Sequence, residues 1–141
     1  MRHGAKTFKT AKLASKADYL APDGSEIRLL PDVQGGGLAH CALPSRKTSL
    51  AVRHKTVEEI WYFIEGTGEV WRQMGSKKRT TRVHSDVCIT IPLGCHFQFR
   101  NTGDAPLCFI IATIPRWPGK SEALKVADHW KPRIPSVFSV P

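Results

Sequence analysis

From Glu26 onward, apolar and polar residues alternate with a period of two in short runs separated by turn-forming residues. Successive side chains of a strand point to opposite faces, so this alternation predicts half-buried β-strands. The runs place strands over Glu26–Leu30, Leu38–Leu43, Ser49–His54, Glu59–Glu65, Gly68–Gln73, Arg79–Val83, Val87–Ile91, His96–Asn101 and Leu107–Ile114. Gly35-Gly36-Gly37, Gly66-Thr67-Gly68, Gly75-Ser76 and Thr102-Gly103-Asp104 mark reversals. Closely spaced strands with almost no helix between them predict an all-β barrel or sandwich rather than a βαβ fold.

The flanks have a different texture. Residues 1–25 form a basic, Ala/Lys-rich arm ending in the turn Ala21-Pro22-Asp23-Gly24-Ser25, with Lys6 to Tyr19 either a short helix or an extended segment. Residues 26–115 carry the strand pattern. Residues 116–141 form a tail whose prolines interrupt regular structure, and Trp117 and Trp130 are expected to pin it to the barrel or to a neighbouring subunit. A chain of 141 residues suits one domain and buries roughly two-thirds of its unfolded surface. The basic arm and the Trp/Pro-rich tail both need a surface to pack on, which leads to the expectation of a homodimer.

Alternation also sorts the faces. If Glu59 points inward, so do Trp61 and Phe63, with Glu65 at the following turn. The matching inward sets are Leu50, Val52 and His54 on the preceding strand, and Phe97 and Phe99 on a later one, while Arg53 and Arg100 face the opposite surface. The predicted interior is therefore apolar and aromatic, with His54 and Glu59 as its polar pair. Apolar walls around a few convergent polar groups are the usual design of a small-molecule pocket. The same residues equally describe a filled barrel core in which a His–Glu hydrogen bond satisfies two buried groups.

Charge changes this picture little. The net charge is +9, concentrated in Arg2, Lys6, Lys9, Lys12 and Lys16 and again in Lys77, Lys78, Arg79 and Arg82. The basic residues are not interleaved with aromatics, and no helix-turn-helix, zinc finger or RNA-binding sheet motif is visible, so no specific nucleic-acid partner is expected. The second cluster reads as a solvated hairpin tip. No apolar stretch approaches the ~20 residues needed to span a bilayer, and no secretory block opens the chain, so no membrane partner is expected. Cys41, Cys88, Cys95 and Cys108 lack C-x-x-C pairing and lie in or beside apolar runs, the pattern of reduced thiols in a cytoplasmic protein.

Two segments carry candidate chemistry. The first runs His54-Lys55-Thr56-Val57-Glu58-Glu59-Ile60-Trp61-Tyr62-Phe63-Ile64-Glu65-Gly66; the second runs from Ile89 through Pro92-Leu93-Gly94-Cys95-His96-Phe97 to Asn101 and Asp104. Together they resemble the two motifs of the cupin superfamily: His-x-His, a spacer, Glu and a closing Gly, then Gly, a spacer, Pro-x-Gly-x-x-His and Asn. The resemblance spans about Gly37 to Ile114. It implies a small double-stranded β-helix, or jelly-roll barrel, and in many members a metal held by three histidines and a glutamate. Glu59 and His54 take ligand places, but Val52 and Phe97 stand where the other two histidines belong, with His96 one residue early. Asp86 replaces the glycine that opens the second motif, and aspartate tolerates such a turn.

Three versions of the site follow. In one, His54 and Glu59 hold a divalent transition metal (Zn, Fe, Mn or Ni) with His96 or His40 as third ligand. In another, no metal binds and Glu59 acts as general acid or base, its pKa raised by apolar surroundings, with His54 as partner. In the third, the pocket of Val52, Trp61, Phe63, Phe97 and Phe99 binds a small organic molecule or is filled. The triad-like letters His84-Ser85-Asp86 are turn chemistry, because adjacent residues cannot form an orienting relay. His3 and His129 fall in the flanks and are expected to be solvated. The expectation adopted is a small-molecule-binding barrel with an incomplete metal site. Its rivals are a metal-dependent isomerase, lyase, cyclase or dioxygenase acting on a carbohydrate, keto acid or aromatic compound, and a structural barrel with a filled interior.

Overall fold

The computed structural model describes residues 7–134, so Arg2, His3, Lys6 and the last residues of the tail lie outside the described part. The strands are β1 (Tyr19–Leu20), β2 (Glu26–Val33), β3 (Gly36–Leu43), β4 (Val52–His54), β5 (Glu58–Glu65), β6 (Thr67–Met74), β7 (Lys77–His84), β8 (Cys88–Ile91), β9 (His96–Asn101), β10 (Leu107–Ile114) and β11 (Ala123–Lys125). They form a six-stranded sheet in the order β1-β2-β3-β10-β5-β8 and a five-stranded sheet in the order β11-β4-β9-β6-β7. All pairings are antiparallel, and the regular helical structure among the described residues is one 3-10 turn, Lys120–Glu122. This is the all-β jelly roll that the alternation and the motif resemblance imply.

Period-two burial builds the interior. Along β5, Glu59, Trp61 and Phe63 are buried while Glu58, Ile60 and Tyr62 are exposed. Trp61 stacks on Phe109 at 4.5 Å between ring centroids and meets Phe97 and Phe99 edge-on at 5.2 and 5.3 Å. Phe63 packs on Phe109 at 4.6 Å. These offset and edge-to-face contacts, within the larger sheet and across to β9 of the smaller one, are the favoured aromatic geometries, and they fill one end of the barrel. Phe63 therefore belongs to the plug. Glu65 is exposed at the reversal into β6, where Gly66 adopts φ +84° and a Cβ would lie 2.3 Å from the Pro106 carbonyl oxygen. Only glycine fits there. Asp86 also takes a left-handed conformation, φ 75°, as expected of its turn.

The basic hairpin occupies an edge. Lys77, Lys78 and Arg79 are exposed on β7, the outer strand of the five-stranded sheet, where like charges discourage strand addition by another chain. The cluster thus extends from the predicted hairpin tip along an edge strand. On the outer face of the larger sheet, Leu38, Ile60, Tyr62 and Ile64 remain exposed.

Both flanks fold onto the barrel. Residues 7–18 contain no helix and run extended beside β2, held by Arg28, which donates to the Ala14 and Ser15 carbonyls at 2.9 Å each. Lys9 pairs with Asp32, and the Asp18 carboxylate accepts the Leu29 amide at 2.7 Å. The arm then joins the larger sheet as β1. In the tail, β11 pairs with β4, and residues 129–130 cover the outer side of β9. Gln98, pointing outward between the inward Phe97 and Phe99, is fully buried beneath them. Its amide donates to the Ser49 and Trp130 carbonyls at 2.8 Å each, and its oxygen accepts the His129 and Trp130 amides at 2.9 and 2.8 Å. Arg100 lies 4.3 Å over the Trp130 ring, and His129 stacks on Trp71 at 5.0 Å, so His129 is exposed but not free in solvent. The tail is pinned to the barrel of its own chain.

Four hydrogen bonds converge on one buried amide, so Gln98→Ala leaves two carbonyls and two backbone amides without partners. We expect a loss of about 2–4 kcal/mol in urea unfolding. Lys78→Ala on the exposed edge is expected to change stability by less than about 0.5 kcal/mol.

Candidate functional site

The barrel end opposite the aromatic plug opens into a cavity of about 930 Å³. Its floor is Trp61, Phe97, Phe99 and Phe109, its sides include Val52, Ile111 and Cys41, and Trp117 from the tail stands at the mouth with Lys9, Asp32 and Arg116. Of the pocket residues expected from alternation, Val52, Trp61, Phe97 and Phe99 line it, whereas Phe63 does not. His54 and Glu59 both do.

The polar groups fall on different walls. Glu59, on β5, is 6% exposed; its carboxylate accepts the Trp61 indole N–H and the Thr113 hydroxyl at 2.9 Å each. Trp61 lies two residues along the same strand and Thr113 directly opposite on β10, so strand register sets both bonds. Burial nevertheless pushes the Glu59 pKa up to about 7, outweighing these two bonds. Near it is Asp23, in the turn between β1 and β2, 9% exposed. Its Oδ1 accepts both the Ser25 amide at 3.0 Å and the Ser25 hydroxyl at 2.6 Å. Burial raises the Asp23 pKa too, and Asp23 in turn raises that of Glu59. Tyr19 and Cys41 complete this wall; burial and then the neighbouring carboxyls push both upward, so each keeps its proton.

Across the cavity, His54 ends β4 with its ring edge-on to Phe97 and Trp117 at 5.1 Å each. Burial lowers its pKa to about 4, so the imidazole is neutral at ordinary pH. Its Nδ1 is buried without a hydrogen-bond partner, and no hydrogen bond joins it to Glu59. The loop that follows is fixed by Glu122, whose carboxylate accepts the Thr56 amide (2.6 Å), the Thr56 hydroxyl (2.7 Å) and the Val57 amide (2.8 Å). Burial alone would raise Glu122, but these bonds prevail and hold it below the ordinary value.

The expected metal set does not assemble. His96, the first residue of β9, pairs with Gln73 of β6 and is absent from the cavity wall, because Phe97 keeps the inward register opposite Val52. His40 sits beside the inward Cys41 and so faces out, level with Arg28, and its Nδ1 lacks a partner there. Among the described residues no three His, Cys, Asp or Glu side chains come together in a way that could hold an ion. A catalytic metal wants about three protein ligands, and the donor set here does not fit one. Asp23, Ser25, Tyr19, Cys41, Thr113 and Trp117 were not among the residues singled out as site candidates. The Asp-Gly-Ser turn signal was visible, but its insertion into the barrel mouth depends on long-range bonds such as Leu50 N–H to the Asp23 carbonyl, 2.9 Å.

Glu59 and His54 act on pH stability with opposite sign. Between pH 4.5 and about 7, Glu59 is protonated when folded and ionised when unfolded, so it lowers stability as pH rises. Between about 4 and 6.5, His54 is neutral when folded and protonated when unfolded, so it lowers stability as pH falls. Relative to Glu59→Gln, the wild type should lose about 3 kcal/mol on going up through the first window. Relative to His54→Gln, it should lose a similar amount, about 3 kcal/mol, on going down through the second. Denaturant unfolding across pH checks both slopes.

Residues 39–113 match the cupin domain family. An uncharacterized protein of Methanocaldococcus jannaschii is 31% identical over 102 residues, covering 69% of this chain and 78% of that protein. Among solved structures, the capsular polysaccharide assembling protein CapF of Staphylococcus aureus superposes with a TM-score of 0.68 at 15% identity, over 83% of this chain and 35% of that one. Oxalate decarboxylase of Lactobacillus farciminis, in a formate complex, gives 0.64 at 19% identity over 73% and 31%. The chain thus spans about a third of the length of these two structures, and at such identities the likeness concerns the fold alone. By the family match over more than half of its length, this chain belongs to the cupins.

Proposed function

We propose that this cupin binds a small organic molecule inside its barrel and does so without a metal ion. The observation that carries the reading is the cavity itself: about 930 Å³, walled by aromatic and aliphatic side chains, with the carboxyls of Asp23 and Glu59 and the imidazole of His54 in its lining. A filled structural barrel has no such space, whose lining forgoes packing contacts until something occupies it. A bound molecule covers the apolar walls and meets the few polar groups in one event.

Metal-dependent chemistry of the kind named for neighbours such as the Mn(II)-containing oxalate decarboxylase of Bacillus subtilis belongs to those proteins. Here Val52 and Phe97 occupy two ligand places, and no step is assigned to a metal. One observation favours a second reading, in which the bound molecule also reacts. A carboxyl group that titrates at about 7 is matched to proton transfer near neutrality, so Glu59 would act as the acid or base, with Trp61 and Thr113 holding it in place.

Protein purified without a histidine tag should bind the neutral dye Nile red with saturable, blue-shifted emission while elemental analysis finds only background metal. Near-stoichiometric first-row metal would support the metalloenzyme instead, and absence of any saturable dye binding would support the filled barrel.

A further inference from the structure

We infer that the cavity selects a protonated organic amine with an aromatic or branched apolar body, its ammonium group lodged between Asp23 and Glu59. This rests on the binding reading above and specifies the ligand it would take. On the acidic wall, the Ser25 hydroxyl and amide are already given to Asp23, and the Trp61 indole and Thr113 hydroxyl to Glu59. Acceptor capacity remains there, beside the Tyr19 hydroxyl that keeps its proton: both bonds from Ser25 fall on Asp23 Oδ1, and each Glu59 oxygen accepts one of the bonds from Trp61 and Thr113. An ammonium group brings three donors and no acceptor, the complement of that wall.

Charge and wall chemistry agree. Lys9 and Arg116 are the only Lys or Arg among the described residues lining the cavity, both at the more exposed mouth and both set against Asp32, Arg116 at 3.7 Å. The deeper part contains two carboxyls and no cationic side chain to receive a carboxylate or phosphate ligand. The faces and edges of Trp61, Phe97, Phe99 and Phe109 surround the same space, and aromatic faces attract cations once water is removed. An anionic ligand would meet the Asp23 and Glu59 carboxyls in the deeper part and find Lys9 and Arg116 only at the mouth. A neutral alcohol would fill one acceptor and leave the other.

Phenethylamine, phenethyl alcohol and phenylacetate share one body and differ in the charge of the head, so they separate this inference from simple apolar binding. Titration calorimetry at mildly alkaline pH should rank the amine tightest, by about tenfold or more over the alcohol, with phenylacetate weakest. The near-isosteric variants Asp23→Asn and Glu59→Gln should each reduce the amine-to-alcohol ratio by about tenfold, with folding checked by thermal melts. Equal or tighter binding of the alcohol or of phenylacetate would overturn the selection for amines and leave the binding cavity standing. A preference for the amine that survives both substitutions would overturn the placement of the ammonium group. Silence from all three probes, together with failure of Nile red to bind, would overturn both readings.

Discussion

A carboxyl group held inside an apolar barrel is the constraint around which this structure is organised. Glu59 lies on a strand whose other inward residues are Trp61 and Phe63, so the pleat that buries the aromatics buries the acid with them. It is tolerated because Trp61 and Thr113 donate to it and because it holds a proton over much of the ordinary pH range. Neither bond is strong enough to restore an ordinary carboxylate, since removing a charge from water costs more than two neutral donors return.

The two ends of the barrel divide the work. At one end, aromatic rings from both sheets interlock and close the space; at the other, the same rings form the floor of a cavity. What keeps that cavity open is the shape of its rim: the β1–β2 turn carrying Asp23, the end of β4 carrying His54, and the tail carrying Trp117. Each rim element is tied down by its own polar anchor, Ser25 for the turn, Glu122 for the loop after β4, and Gln98 for the tail. The missing ligands of the family's metal site fit this division. Val52 and Phe97 face each other across β4 and β9 as packing residues, and their contact occupies the place of two imidazoles.

Much of this was legible in the sequence because period two is a strong signal wherever one face is buried. Every predicted strand has a counterpart, though Ser49–His54 is strand only over Val52–His54, and Val52, His54, Glu59, Trp61, Phe97 and Phe99 line the cavity as alternation requires. His96, offered as a third ligand, stands one residue out of register and is absent from the cavity wall. Other features were not legible. Strands as short as Tyr19–Leu20 and Ala123–Lys125 contain too few residues to show a period. Phe63 carries the right parity, but parity cannot tell cavity floor from plug, which depends on depth along the strand. Asp23 reads as an ordinary turn residue, and its place beside Glu59 is a long-range fact. Gln98 reads as a solvent-facing position until the tail is seen to cover it.

Carbon-13 NMR titration of the Glu59 side-chain carboxyl, assigned by its loss in Glu59→Gln, tests the central claim most directly. The account predicts a midpoint near 7, the mark of a buried acid that no metal or cation holds ionised in the free protein. A midpoint at or below the ordinary 4.5 would place that carboxyl in water or on a cation and contradict the account.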